Sequence, residues 1–143
     1  MYSKSPTYIL DTSVVVKWFS IAGELDLDKA HDIFSKLLQG FINVIVPDLL
    51  LYELSNALLK SKRLTDREIN SLIEQFYRYP MSVEHVDLNR IKTANELAYK
   101  YDITVYDAIY LSLAKEFSAS LVSANPKHHK PIPEAEVMNL KDW

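Results

Sequence analysis

The sequence predicts an α/β sandwich around a central, mainly parallel β-sheet. Two observations point there: short apolar and β-branched runs alternate with stretches of helical apolar spacing along the chain, and the segment Thr104 to Phe117 is apolar on nearly every face, as a helix packed against a sheet must be. In such sheets ligands bind beyond the carboxyl ends of the strands, which is where Asp11 and Asn125 fall.

Tyr8-Ile9-Leu10 reads as the first strand, ending at Asp11-Thr12-Ser13; Val14, Val15, Val16, Trp18 and Phe19 continue as a buried strand-to-helix passage. Asp26 to Gln39 carries Leu27, Ala30, Ile33, Phe34, Leu37 and Leu38 at helical spacing, and Gly40 follows where a left-handed C-terminal residue is expected. Asn43 to Val46 is a β-branched strand stopped by Pro47, and Asp48 is placed to cap a helix running to about Lys62. Thr65-Asp66-Arg67-Glu68 matches a capping box opening a helix that runs to about Tyr79, before Pro80. Met81 to Val86 reads as a strand, Asp87 to Lys100 as a helix, and Ala119 to Ala124 as the next strand; a polar loop from Asn125 to Pro133 precedes a last strand, Glu136 to Leu140.

The 143 residues, 48% hydrophobic and 24% charged, suit one domain, 1–143, with a substantial core. The absence of cysteine excludes disulfides, thiolate metal sites and a cysteine nucleophile, and a reducing cytoplasm is the expected compartment. With only two glycines, Gly23 and Gly40, the glycine-rich dinucleotide turn, the phosphate-binding P-loop and the G-x-S-x-G nucleophile elbow are all excluded. No apolar run follows Lys4 as in a signal peptide, and none approaches the roughly 20 residues of a membrane helix. The net charge of −3 disfavours a broadly basic nucleic-acid binder, so phosphate would need local cations or bridging metal.

Several acids fit a core poorly. Asp11 is either a helix N-cap or a ligand at the sheet edge. Glu53 lies roughly 90° from the centre of the apolar arc formed by Leu50, Leu51, Leu54, Ala57 and Leu58, where it either reaches water or joins a site. Asp107 shares a helix face with Leu111 and Ala114; it either closes a capping box on Thr104 or serves a site, and the roles are compatible. Asn125 by itself reads as a turn residue before Pro126. Three carboxylates converging at about 5 Å, with an effective dielectric near 20, would repel by about 3 kcal/mol per pair. A salt bridge, a shared proton or a hard divalent cation, Mg²⁺ or Mn²⁺, would be needed to hold them.

The blocks YILDTSVVVKWF (8–19), VPDLLLYELSNAL (46–58), TVYDAIYLSLA (104–114) and LVSAN (121–125), in this order and spacing, resemble the PIN-domain family, and most of all its VapC-type toxin ribonucleases. The resemblance implies a PIN-like α/β/α sandwich and a Mg²⁺- or Mn²⁺-dependent endoribonuclease leaving 3′-hydroxyl and 5′-phosphate ends, acting on single-stranded or loop RNA. For VapC-type members it further implies a homodimer and a cognate antitoxin. Asp11, Glu53 and Asp107 match the family's first three acids. Asn125 stands where many members carry a fourth, so its carbonyl would complete the metal shell with one charge fewer, and a weakened or silent module for RNA processing or protein binding is the alternative. Thr12 and Ser13 match the hydroxyl residues after the first acid, placed to support it. Lys17, Lys60 to Arg63 and Lys127 to Lys130 are candidate phosphate contacts, and Tyr52, Tyr106 and Tyr110 candidate stacking or packing rings. No histidine pair for metal-free cleavage is evident; His31, His85, His128 and His129 read as structural or loop residues.

Overall fold

The computed structural model describes residues 4–19, 24–125, 127, 129 and 132–143. Five parallel strands form one sheet in the order β3-β2-β1-β4-β5: β1 (Thr7–Leu10), β2 (Asn43–Pro47), β3 (Ser82–Glu84), β4 (Ser120–Ser123) and β5 (Val137–Asn139). Between them run α1 (Thr12–Val15) with a 3₁₀ turn (Val16–Phe19), α2 (Leu27–Leu38), α3 (Leu49–Lys60), α4 (Asp66–Tyr77), α5 (Leu88–Tyr101) and α6 (Val105–Glu116). Parallel pairing requires such helical crossovers. The helix α6 packs against β1, β2 and β4, which explains why Ala108 through Ala114 are all buried.

The chain steps from β1 to β2 to β3 on one side, then returns through α5 and α6 to lay β4 against the opposite side of β1. The direction of winding therefore reverses between β1 and β4, and their carboxyl ends splay apart into a crevice. Ile9, Leu10, Leu121 and Val122, fully buried, fix this pair of strands in the core.

Local signals set most boundaries. Thr65 and Glu68 form the reciprocal capping box of α4, and Gly40 takes the left-handed conformation after α2 at φ 76°. Three expectations are corrected. Asp48 does not cap α3: its backbone is itself helical, and its carboxylate accepts bonds from Val86 N and pairs with His85 Nδ1, tying α3 to the end of β3. The strand Met81 to Val86 is only Ser82–Glu84, leaving His85 beyond it. The Thr104 cap is one-sided, since Asp107 N donates to Thr104 Oγ1 with no return bond from the Asp107 carboxylate. Among the described residues no helix is long and apolar enough to cross a membrane.

Candidate active site

Asp11 follows β1 directly and holds both roles its position allowed. It N-caps α1 by accepting from Ser13 N at 3.4 Å, and it faces the crevice between β1 and β4. Its own N–H donates to Val122 O across that crevice. The carboxylate's Oδ2 accepts from Ser13 Oγ (2.5 Å) and Ser123 Oγ (3.2 Å). Those hydroxyls in turn accept from Ala124 N and Asn125 N, so the ends of β1 and β4 are laced through a single carboxylate oxygen.

Glu53, on α3, is half-buried. Its Oε1 accepts from Tyr110 OH at 2.6 Å and from Thr12 Oγ1 at 3.1 Å, while the two hydroxyls lie 2.8 Å apart. Two hydroxyl protons thus serve three contacts. Asp107, in the first turn of α6, lies on the same helix face as Tyr110, one turn earlier. Among the described residues its carboxylate accepts no hydrogen bond.

The electrostatics register the cluster. Burial raises the Glu53 carboxyl above its ordinary value and the charges of Asp11 and Asp107 add to the rise, against the lowering effect of the Tyr110 and Thr12 bonds. Burial alone would raise Asp11 too, but the bond and charge of His129, with the Ser13 and Ser123 hydroxyls, outweigh it and hold that carboxyl low. Tyr110 is pushed well above its ordinary value, first by burial and then by the Glu53 and Asp11 charges.

His129, read from the sequence as a loop residue within the candidate phosphate-contacting stretch Lys127 to Lys130, lies instead against the first acid. It is buried, with Nε2 3.4 Å from Asp11 Oδ1 and its ring edge-on to Tyr110. Burial would lower its pKa, yet the bond and charge of Asp11, joined by the charges of Asp107 and Glu53, raise it. No periodicity marks such a residue; the only available signal was its place a few residues after the strand that ends beside Asp11.

The remaining candidates divide. Asn125 is exposed, and among the described residues its side chain bonds none of the acids. Tyr52 and Tyr106, next in sequence to Glu53 and Asp107, are exposed, whereas Tyr110 is buried. Lys17 is engaged with Leu25 O and Glu24; Lys60, Lys62, Arg63 and Lys127 are exposed, and His128 and Lys130 lie outside the described residues.

The donor chemistry fits a hard divalent cation. Oxygen donors of net negative charge face one another there: among the described residues the Asp107 carboxylate accepts no hydrogen bond, and Glu53 is raised first by burial and then by the Asp11 and Asp107 charges. Among the described residues no three of the His, Asp and Glu side chains stand close enough together to hold a metal ion as a ready-made cage.

The family model described as PIN domain matches residues 8–131. The chain is similar to Ribonuclease VapC3 of Pyrobaculum aerophilum, at 30% identity over 90 residues that cover 60% of this chain and 69% of that protein. Its fold is similar to that of DNA-bound VapBC from Salmonella typhimurium (TM-score 0.70, 15% identity, covering 94% of this chain and 98% of that one). It is also similar to that of VapBC2 from Rickettsia felis bound to a promoter DNA fragment (TM-score 0.66, 18% identity, covering 93% and 98%).

Proposed function

Because the chain belongs to the PIN domain family, we propose that it is a Mg²⁺- or Mn²⁺-dependent endoribonuclease, cutting single-stranded or loop RNA as the toxin of a type II toxin–antitoxin pair. The observation that carries this reading is the convergence of Asp11, Glu53 and Asp107, from three distant segments, at the crevice between β1 and β4, close enough that the Asp11 and Asp107 charges add to the rise that burial imposes on the Glu53 carboxyl. A structural role alone does not account for gathering repelling acids where α/β proteins bind their ligands.

Asp11, through Oδ1, and Asp107 would hold the ion directly, Glu53 through water, and Asn125 at the exposed rim would complete the shell. When bound, the ion supplies neutralisation of charge on the phosphate oxygens and a more acidic water. Glu53, held by Tyr110 and Thr12, orients the attacking water and takes its proton; its raised pKa makes it the better base. Water adds to phosphorus as the bond to the 3′ oxygen breaks, and the departing oxygen takes a proton from solvent water, giving 3′-hydroxyl and 5′-phosphate ends. Ser13 and Ser123 keep Asp11 oriented. Exposed Tyr52 and Tyr106 are placed to stack bases, and the cations Lys60, Lys62, Arg63 and Lys127 to contact phosphates. The cognate antitoxin would cover this groove, and the toxin would act in the cytoplasm as a homodimer of single-domain chains, the assembly read by light scattering.

The test incubates purified protein with a 5′-labelled structured RNA pool plus Mn²⁺, Mg²⁺ or EDTA, beside Asp11→Asn prepared identically. Cleavage that needs metal and vanishes in the variant supports the reading; equal silence of both proteins refutes it. The exposed Asn125, in an acid's place, favours the second reading, a weakened or silent module for RNA processing or protein binding. That reading predicts that Asn125→Asp creates or increases cleavage.

A further inference from the structure

One helical turn beyond the acids, between the 3₁₀ turn and the end of α3, the surface opens into a groove of about 330 Å³. Val16 on one wall follows Thr12 by four residues, and Ala57 on the other follows Glu53 by four. Thr12 bonds Glu53 at 3.1 Å, and both α1 and the 3₁₀ turn pack on α3. The groove therefore runs on from the acid cluster at about 5.4 Å per helical turn. A strand with its scissile phosphate at the acids would lay a neighbouring nucleotide here.

The lining defines what fits. Buried Leu58 and half-buried Leu64 complete an apolar floor with Val16 and Ala57. Phe19 is half-buried along the groove, and among the described residues its ring packs on no other ring, unlike Trp18 before it, which packs on Phe34 and Tyr79. At the rim, the Arg63 guanidinium has no partner among the described residues, whereas the acid lining the groove, Glu24, is paired with Lys17 at 3.5 Å. An uncompensated cation over an apolar, ring-lined cleft matches a nucleotide, whose base has flat apolar faces and carries an anion beside it. A purely apolar peptide segment would leave that cation unmatched.

We propose that this groove is a nucleotide subsite, in which Phe19 stacks the base next to the scissile phosphate and Arg63 contacts that nucleotide's own phosphate. The proposal rests on the ribonuclease reading of the acids and states where the substrate strand runs. Because every base offers a π-face, the subsite tolerates sequence.

The test measures binding of fluorescein-labelled octauridylate and octaadenylate by anisotropy in EDTA, for the full chain and for Phe19→Leu, Ala57→Leu and Arg63→Gln. Phe19→Leu keeps apolar bulk and removes the stacking face. Ala57→Leu fills the groove from the other wall, and is the second variant should the first fail to fold. Both should raise the dissociation constants of both octamers about 10-fold. Arg63→Gln should lower the slope of log Kd against log salt by about 0.7, the share of one phosphate on a single strand. Octamers that the wild type does not bind, that the Phe19 and Ala57 variants bind as tightly as the wild type, or whose salt slope Arg63→Gln leaves unchanged overturn the proposal; a groove reserved for a protein segment would give the second and third of these. Octamer binding that depends on Phe19 in a protein that cuts no RNA keeps the subsite and sinks the nuclease, whereas metal-dependent cleavage with KM unchanged in the variants sinks the subsite alone.

Discussion

The Tyr110 hydroxyl lies 2.6 Å from Glu53 Oε1, so a tyrosine buried in α6 holds the carboxylate of α3 from beneath. Thr12 closes the triangle from the residue after Asp11, which couples three segments of the chain through two hydroxyl protons.

Tyr110→Phe keeps the ring and removes the donor. The expected loss of stability is about 1 kcal/mol, read by urea unfolding. Since the lost bond lowered the Glu53 carboxyl, its pKa rises further, and the acid limb of the cleavage pH profile moves to higher pH. An unmoved limb would detach Glu53 from proton transfer.

Glu53→Gln keeps an acceptor for Tyr110 and Thr12 while removing the charge. The Glu53 pKa is higher folded than unfolded, so its contribution to stability is present below the unfolded value and lost as pH rises through the folded one. At neutral pH the variant should therefore be more stable, on the order of 0.5 kcal/mol after solvent screening, and inactive. Thermal melts at pH 7 that show destabilisation would contradict this.

Mn²⁺ at about 100 times its dissociation constant should stabilise the protein by about 2.7 kcal/mol, because the unfolded chain lacks the site. EDTA should reverse the gain, and Asp11→Asn should not show it. Scanning fluorimetry across a Mn²⁺ titration reads all three.

Away from the site, Glu134 accepts from Tyr101 OH and Lys100 Nζ, and these bonds lower its carboxyl to about 2 from 4.5. A depressed acid contributes stability above its unfolded value that is lost as pH falls through the folded one. The wild type should therefore lose this contribution between about pH 4.5 and 2, and Glu134→Gln should flatten that part of the acid unfolding curve.

Thr65→Ala removes one half of the capping box that opens α4 and should cost about 1 kcal/mol in urea unfolding. Cleavage per folded molecule should not change, because Thr65 is exposed and its bonds among the described residues stay within the first turn of α4. A matched loss of activity would show that α4 shapes the site.

Helix and strand assignments were legible because their signals are local. The apolar period of α2, the Thr65 box and the β-branched run of β2 each act within a few residues. Where an interaction reached further, local reading failed. Asp48 has the residue type of a cap, but His85 and Val86, 37 and 38 positions away, claim its carboxylate.

By itself, then, the sequence determined the alternation of strands and helices, the placement of Asp11 at a strand end, and the residence of Glu53 and Asp107 on helices with otherwise apolar faces. Those features follow from side-chain period and backbone preference, which a short segment carries alone. Only the tertiary structure decided that β4 pairs with β1 rather than with β3, that Ser123 reaches Asp11 across 112 positions, and that His129 is buried against the same carboxylate while Asn125 is left in solvent. The physical reason is that strand order and loop burial are set by how the whole apolar surface is covered, and no single segment contains that information.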